Sequence, residues 1–220
     1  MGGIITSLQP QRRSADRVNV YLDGEFALGI SASEAARLQV GQELSDEEIE
    51  QLGRIDEVEK LLDRAIRLLG FRPRSDSEIR QRLRSTGASE EDIEAVCQEL
   101  SRRGYLDDAA FARFWVQDRS LFRPKAARVL RQELRTRGVA DECIEDAVSS
   151  LDPLEDAYRA LEPWARRHLS LASVDPPAYR AKLSAFLLRR GFEFDTVRAT
   201  VNRFLMENAE TQQDQETGAP

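Results

Sequence analysis

The chain has 220 residues, of which 32% are charged and 41% hydrophobic, and its formal net charge is −7. This length fits one large or two small domains, and no stretch approaches the roughly 18 apolar residues that a membrane-spanning helix needs. The N-terminus MGGIITSLQP has no basic segment followed by an apolar one, so we expect no secretory signal and a cytoplasmic protein. Cys97 and Cys143, the only cysteines, lie in helical patterns, which favours reduced core thiols over disulfides.

The first thirty residues have the pattern of a small β-sheet. Residues 17–22 and 25–30 predict two strands, and Asp23-Gly24 between them predicts a two-residue hairpin turn. Aspartate and glycine are favoured there because both turn residues need a positive φ. Residues 4–8 predict a third strand.

Two short helices are predicted to follow the hairpin. Ser31 and Ser45 each stand three residues before a glutamate, which is the spacing of a capping box at a helix N-terminus. Gly41 separates the two helices. Residues 1–53 are therefore predicted to form a small β-rich N-terminal module.

From residue 55 onward the apolar spacing is helical. A first helix, with apolar residues from Ile55 to Leu69, is predicted to end near Gly70. Ser75 and Ser89 each precede an acidic residue by three positions, which predicts the N-caps of a second and a third helix.

Two further groups of helices follow. Asp107 and Asp152 are predicted N-caps, and Pro153 then occupies the first helical position, which proline favours. Pro163 is predicted to kink or split its helix, because proline removes a backbone donor and clashes with the preceding turn. Residues 207–220 are polar and lack apolar periodicity, which predicts a disordered tail.

The helical part repeats three times around a glycine, at Gly87, Gly138 and Gly191. A proline stands fourteen residues before each glycine, and apolar residues stand at offsets −8, −4, +6, +10 and +13 from each. These apolar residues are Ile79, Leu83, Ile93, Cys97 and Leu100; Leu130, Leu134, Ile144, Val148 and Leu151; and Leu183, Leu187, Val197, Val201 and Phe204. Any amphipathic helix pair shows some such spacing, but the shared proline and the fifty-residue period favour a repeat architecture.

The sequence therefore predicts a mainly α-helical fold with three tandem three-helix repeats in an elongated array, preceded by a small N-terminal β-hairpin module. Short helices bury one stripe each, so the repeats are expected to stack on one another. The predicted segments are 1–53 for the module, 54–104, 105–151 and 152–206 for the repeats, and 207–220 for the tail.

The sequence shows no pattern that indicates an enzyme. It contains no glycine-rich phosphate loop, no Cys/His cluster with zinc spacing and no nucleophile elbow, so we predict no catalytic residue, metal or cofactor. His168, the one histidine, is interpreted as a surface residue. Phe111, Phe114, Trp115 and Trp164 are interpreted as core residues rather than as platforms for base stacking.

Charge is segregated between helices. The second helix of each repeat is basic, and the third helix of the first two repeats is acidic. Two interpretations stay open: the basic helices bind a polyanion or an acidic protein surface, or helices of opposite sign neutralise each other inside the protein. Arginine predominates, and its guanidinium binds phosphate and carboxylate at two points. The candidate partner contacts are Arg72, Arg74, Arg80, Arg82, Arg123, Lys125, Arg128, Arg131 and Arg135.

Four segments suggest a family. They are RSDSEIRQRL at 74–83, GYLDD at 104–108, RPK at 123–125 and the hairpin VNVYLDGEFALGIS at 18–31. Together they resemble the RecX regulatory family, whose members modulate the bacterial RecA recombinase. The resemblance extends over nearly all of residues 1–205.

The resemblance implies an all-helical repeat array that docks in the groove of the RecA–DNA filament and blocks its activities or promotes its disassembly, in recombination, DNA repair and the SOS response. It implies no enzymatic activity. The implied partner is the RecA filament, with single- or double-stranded DNA as a further candidate and no membrane, and we expect a monomer. The acidic net charge favours contact with protein over contact with DNA. The alternative is an autonomous single-stranded nucleic-acid-binding repeat protein, with steeply salt-dependent affinity.

Overall fold

The computed structural model describes residues 2–12 and 14–217. Within these residues it contains eleven helices and one four-stranded sheet. The chain divides into two compact units, Met1–Leu106 and Asp107–Pro220. None of the described helices is both long enough and apolar enough to cross a membrane.

The first unit begins with an antiparallel sheet. Its strands are β1 (Gly3–Gln11), β2 (Ser14–Leu22), β3 (Glu25–Ser31) and β4 (Glu43–Leu44), in the order β3-β2-β1-β4. The turn residues Asp23 and Gly24 have φ values of 50° and 89°, as a two-residue hairpin requires. The predicted hairpin and third strand are confirmed. Strand β4 was not predicted, because two residues give no periodicity.

Two helices connect the sheet to the helical part of this unit. They are α1 (Ala32–Ala35), capped by Ser31, and α2 (Asp46–Phe71), which begins with a complete capping box between Ser45 and Glu48. The prediction of a short second helix was wrong, since α2 continues through Gly53 for 26 residues. An interior glycine costs a helix only about 1 kcal/mol. Burial of one side of α2 along its length offsets that cost. The predicted end of the N-terminal module, at residue 53, therefore lies inside α2.

The first repeat is completed by α3 (Asp76–Arg84) and α4 (Glu90–Arg102). The predicted N-caps are confirmed: the side chain of Ser75 accepts a hydrogen bond from the Glu78 amide, and that of Ser89 accepts one from the Asp92 amide. One cluster of buried residues fills the space between α2, α3 and α4. Its largest members are Leu61, Leu62, Ile79, Leu83, Ile93, Leu100 and Leu106.

The second unit contains the other two repeats. The second repeat consists of α5 (Asp108–Phe122), α6 (Ala127–Arg135) and α7 (Asp141–Val148). The third consists of α8 (Pro153–Arg166), α9 (Leu169–Val174), α10 (Pro176–Arg189) and α11 (Phe194–Thr217). Asp107 and Asp152 cap α5 and α8 as predicted. Each repeat again encloses a buried cluster of its own.

The third repeat and the segment after it differ from their predictions. Helix α8 is not split at Pro163 but continues to Arg166, because Leu161 and Ala165 on either side of the proline are buried in one cluster. The inserted segment after it forms the short helix α9. The predicted disordered tail is also helical as far as Thr217, and its remaining residues, 218–220, lie outside the described part of the chain.

The glycine-centred repeat is confirmed as a packing pattern. Gly87, Gly138 and Gly191 have φ values of 84°, 74° and 88°, in the left-handed region where a helix commonly ends. Of the fifteen apolar residues at the repeated offsets, all are buried except Leu151, which is partly buried. The repeated residues are therefore those that pack inside each repeat. That the three repeats form one elongated array stays a prediction.

Candidate interaction surface

The candidate contacts lie at the second helix of the first two repeats. Arg72 and Arg74 precede α3, while Arg80 and Arg82 lie on it. Arg123 and Lys125 precede α6, while Arg128, Arg131 and Arg135 lie on it. Helix α3 belongs to the first unit and α6 to the second. Their alignment into one basic stripe stays a prediction.

In both repeats, an arginine seven residues before the glycine forms an ion pair with a glutamate seven residues after it. In the first repeat, Nη1 of Arg80 donates to Oε2 of Glu94 at 2.7 Å. In the second, Nε of Arg131 donates to Oε1 of Glu145 at 2.8 Å. The hydrogen bond from each arginine lowers the pKa of its glutamate. Each basic helix thus bonds to the acidic helix that follows it.

In both repeats, an arginine three residues before the glycine also forms an ion pair with an acidic residue three residues after it. Nε of Arg84 lies 2.5 Å from Oε1 of Glu90, and Nε of Arg135 lies 2.7 Å from Oδ1 of Asp141. The interpretation that helices of opposite sign neutralise each other therefore holds for these arginines. The Arg84–Glu90 and Arg135–Asp141 pairs are solvent-exposed, so water and salt screen their attraction. An anionic group of a partner can therefore replace the carboxylate at little cost in free energy.

Four other candidates also have partners inside the chain. Arg72 bonds to Glu78 at 3.1 Å, and Nε of Arg74 donates to the Leu68 carbonyl at 3.2 Å. Partial burial lowers the pKa of Arg74. Lys125 donates to Glu133, and Nε of Arg128 donates to the Gly191 carbonyl at 2.5 Å. Changing these four residues therefore removes bonds within the chain as well as charges at the surface.

Arg82 and Arg123 are the two candidates that remain available. Both side chains are exposed, and neither has a hydrogen bond or ion pair with any residue in the described part of the chain. An unpaired exposed guanidinium can bind a partner's phosphate or carboxylate without first breaking an internal bond. Of the nine predicted contacts, these two are the ones whose geometry favours direct binding.

Lys125 belongs to a cluster around Trp115 that the sequence did not indicate. The Trp115 indole donates to Oε2 of Glu133 at 2.8 Å, and the guanidiniums of Arg119 and Arg137 lie 4.0 and 3.8 Å from its ring centroid. Burial raises the pKa of Glu133, but hydrogen bonds from Lys125 and Trp115 outweigh it and lower the pKa overall. Stacked cations and a partly buried acceptor near the end of α6 hold that helix against α5.

The predicted core aromatics divide into two kinds. Phe111 is buried, and Trp164 is partly buried between His168 and Phe186, with ring centroids 4.1 and 4.9 Å apart. Phe114 is 47% exposed, so its assignment to the core was wrong. It is not a member of the repeat's buried cluster. His168 is exposed, as predicted.

Two exposed phenylalanines were missed as candidates. Phe71 and Phe122 are the last residues of α2 and α5, and they are 86% and 77% exposed. The sequence did contain a signal for them, since Phe-Arg-Pro occurs at 71–73 and again at 122–124.

The thiols add no reactive group to this surface. Burial raises the pKa of Cys97 to about 12, so this thiol stays protonated, and Cys143 is partly buried. Both cysteines are free. Within residues 2–12 and 14–217, no three His, Cys, Asp or Glu side chains are grouped so that they could hold a metal ion.

Comparisons with known proteins match the N-terminal strands and each of the three repeats. The family model described as "Regulatory protein RecX N-terminal domain" matches residues 3–45. The models described as the first, second and third three-helix domains of RecX match residues 62–100, 107–148 and 155–201, respectively. The Regulatory protein RecX of Bacillus subtilis is 31% identical over 94% of this chain and 79% of its own length. That of Prosthecochloris aestuarii is 36% identical over 66% of this chain and 94% of its own.

Two crystal structures are also similar. One, described as regulatory protein RecX, aligns with a TM-score of 0.72 and 25% identity over 91% of this chain and 99% of its own. The other, RecX from Lactobacillus salivarius, aligns with a TM-score of 0.59 and 22% identity over 69% of this chain and 99% of its own. The second likeness bears on the fold alone.

Proposed function

The chain belongs to the RecX family of regulatory proteins, and from this premise we propose that it is a non-enzymatic modulator of the RecA recombinase. It binds the RecA–DNA filament in the cytoplasm and blocks its activities or promotes its disassembly. The protein makes its contacts as a monomer, through the first two repeats.

The recurrence of one surface in two repeats carries this proposal. Repeats one and two place the same two ion pairs at the same distances from their glycines, and each also has an exposed arginine, Arg82 or Arg123, that is not paired with any described residue. A filament of identical subunits presents the same binding site many times. A chain with equivalent repeats can occupy several such sites at once, and linked weak contacts then give high overall affinity.

The first prediction concerns the two unpaired arginines. Changing Arg82 and Arg123 together to glutamate should weaken binding to RecA–DNA filaments at least tenfold, because each change removes a cation and adds a repelling charge. Both side chains are exposed and make no internal bond with a described residue, so the thermal unfolding temperature should not change. Co-sedimentation with filaments measures the binding, and far-UV circular dichroism measures the unfolding.

Lys182 and Arg189 provide the matched control for this variant. They are exposed, they form no ion pair with a described residue and they lie on α10, outside the candidate surface. Changing both to glutamate makes the same change in net charge. An equal loss of filament binding in this control would mean that overall charge, not the assigned surface, governs binding. A loss of affinity for naked single-stranded DNA, with a steep salt dependence, would favour the alternative nucleic-acid-binding function.

The second prediction concerns the internal partners of the paired arginines. Changing Glu94 and Glu145 to glutamine should strengthen filament binding several-fold at low salt, because Arg131 is then free for the partner and Arg80 keeps only its ion pair with Asp76. If these arginines serve only to neutralise the acidic helices, binding should not improve. Filament co-sedimentation at two salt concentrations distinguishes the two interpretations of the charge pattern.

Glu91 and Glu142 are the control for that experiment. Each stands four residues after its glycine, on the same acidic helices, and neither bonds to an arginine in the described part of the chain. Changing both to glutamine lowers the negative charge by the same amount without releasing an arginine. A gain equal to that of the Glu94 and Glu145 variant would contradict the assignment of Arg80 and Arg131.

A further inference from the structure

Phe71 and Phe122 are repeated in sequence but not buried in the structure. Each is the last residue of the first helix in its repeat, sixteen residues before the glycine. Their side chains are 86% and 77% exposed, whereas the apolar residues at the other repeated offsets are buried or partly buried. Packing explains the recurrence of the buried positions. It does not explain the recurrence of these two.

The cost of exposing such a side chain makes the recurrence informative. A phenylalanine in water forgoes the favourable free energy that its burial would contribute. Leu121, beside Phe122, is exposed as well, so the end of α5 presents an apolar surface larger than one ring. Exposed apolar surface of this kind is typical of a binding site.

Exposed arginines stand near both phenylalanines along the chain. Arg64 and Arg67 lie seven and four residues before Phe71, on the same side of α2, and Arg123 directly follows Phe122. All three arginines are exposed, and none has an ion pair or hydrogen bond with a residue that the structure describes. In a chain with a net charge of −7, cations grouped around exposed apolar residues are not a result of general basicity.

We propose that Phe71 and Phe122 are the apolar anchors of the docking surface, and that each inserts into an apolar recess bordered by carboxylates on a protein partner. Charge complementarity favours an acidic protein surface: the flanking guanidiniums pair with carboxylates while the ring leaves water. Such an arrangement, with an aromatic anchor surrounded by polar contacts, is typical of the residues that dominate binding energy. The exposed aliphatic Leu121 gains from an apolar recess but not from base stacking.

This inference rests on the proposed function, because a filament of identical subunits offers the same recess to each repeat. Two equivalent anchors, one in each repeat, then bind two equivalent sites. Losing one anchor weakens binding, and losing both removes both aromatic contributions.

The test replaces the anchors with serine. The full-length variants Phe71→Ser, Phe122→Ser and the double variant are compared in co-sedimentation with RecA–DNA filaments. Each single variant should lose at least threefold in affinity and the double variant at least tenfold, while thermal unfolding stays unchanged because both rings are exposed. Phe194→Ser is the matched control: Phe194 is 69% exposed but lies between Glu193 and Asp195, so its replacement should leave binding unchanged.

Three other outcomes would overturn the proposal in distinguishable ways. If the double variant binds like the unchanged protein while the Arg82 and Arg123 variant does not, the anchors are wrong and the proposed function stands. If the unchanged protein does not bind filaments, the proposed function fails and this inference fails with it. If the double variant loses affinity for naked single-stranded DNA as strongly as for filaments, the rings stack on bases instead.

Discussion

Replacing Gly191 with alanine should destabilise the unit Asp107–Pro220 by about 2–5 kcal/mol. The backbone φ of Gly191 is 88°, and an L-residue in the left-handed region costs about 1–2 kcal/mol. A Cβ atom at this position would also lie 2.3 Å from Cγ2 of Val129 and 3.3 Å from Nε of Arg128. Such overpacking adds about 1–3 kcal/mol. Denaturant unfolding followed by tryptophan fluorescence reports on this unit, since Trp115 and Trp164 both lie in it.

Gly87 is the control that separates strain from the clash. Its φ is 84°, but a Cβ there would meet no atom within 4 Å, so Gly87→Ala should cost only the strain of about 1–2 kcal/mol. A second substitution, Val129→Ala, removes the methyl group that the new Cβ would meet. It should restore part of the stability lost in Gly191→Ala. Equal losses at Gly87 and Gly191 by circular dichroism, or no recovery with Val129→Ala, would contradict the close contact.

The contact at Gly191 joins the second repeat to the third within this unit. Arg128 donates to the Gly191 carbonyl at 2.5 Å, and Nη1 of Arg190 donates to the Pro124 carbonyl at 3.0 Å. The Ala126 amide also donates to the Arg190 carbonyl at 3.1 Å. The start of α6 is thus held by the turn between α10 and α11. Two of these groups are arginines that the sequence presents as ordinary surface cations.

The sequence predicted the repeats well because packing fixes their positions. Apolar residues such as Ile79 and Leu130 recur at the same offset because each pair of helices joined by a glycine of left-handed conformation must bury the same row of side chains. The helix ends predicted at Gly53 and Pro163 were wrong, because the helix propensity of one residue contributes less free energy than the burial of a whole helix. The helical tail after Phe204 was missed for a related reason: extending an anchored helix requires no new nucleation.

The sequence predicted the candidate surface less well. Composition shows that α3 and α6 are basic, but not whether an arginine points to a partner or to the next helix. A signal was nevertheless present: Arg80 and Glu94, like Arg131 and Glu145, stand at equal distances on either side of a glycine. In a helical hairpin, such positions face each other. The bond of Arg128 to a carbonyl 63 residues away had no comparable signal, because it depends on how two repeats pack.

Replacing Arg17 with methionine should destabilise the first unit by about 2–3 kcal/mol. Nη2 of Arg17 lies 2.9 Å from Oδ1 of Asp56, and it also donates to the Gly29 carbonyl at 2.9 Å. The Asp56 carboxylate is buried on α2, so this arginine joins the sheet to that helix. Breaking a buried ion pair leaves an uncompensated charge and costs about 3–5 kcal/mol. Lys60, 2.8 Å from Asp56, remains as a second cation and reduces the loss.

An exposed pair of similar length shows whether burial causes the effect. Nη1 of Arg54 lies 2.9 Å from Oε1 of Glu50, with both side chains largely in water, so Arg54→Met should change stability by less than about 0.5 kcal/mol. Combining Arg17→Met with Asp56→Asn should cost less than the sum of the two single changes, because the second removes the charge that the first leaves unpaired. Denaturant unfolding by circular dichroism measures all four variants. Additive losses, or an equal effect at Arg54, would show that the sheet is held to α2 by its apolar contacts alone.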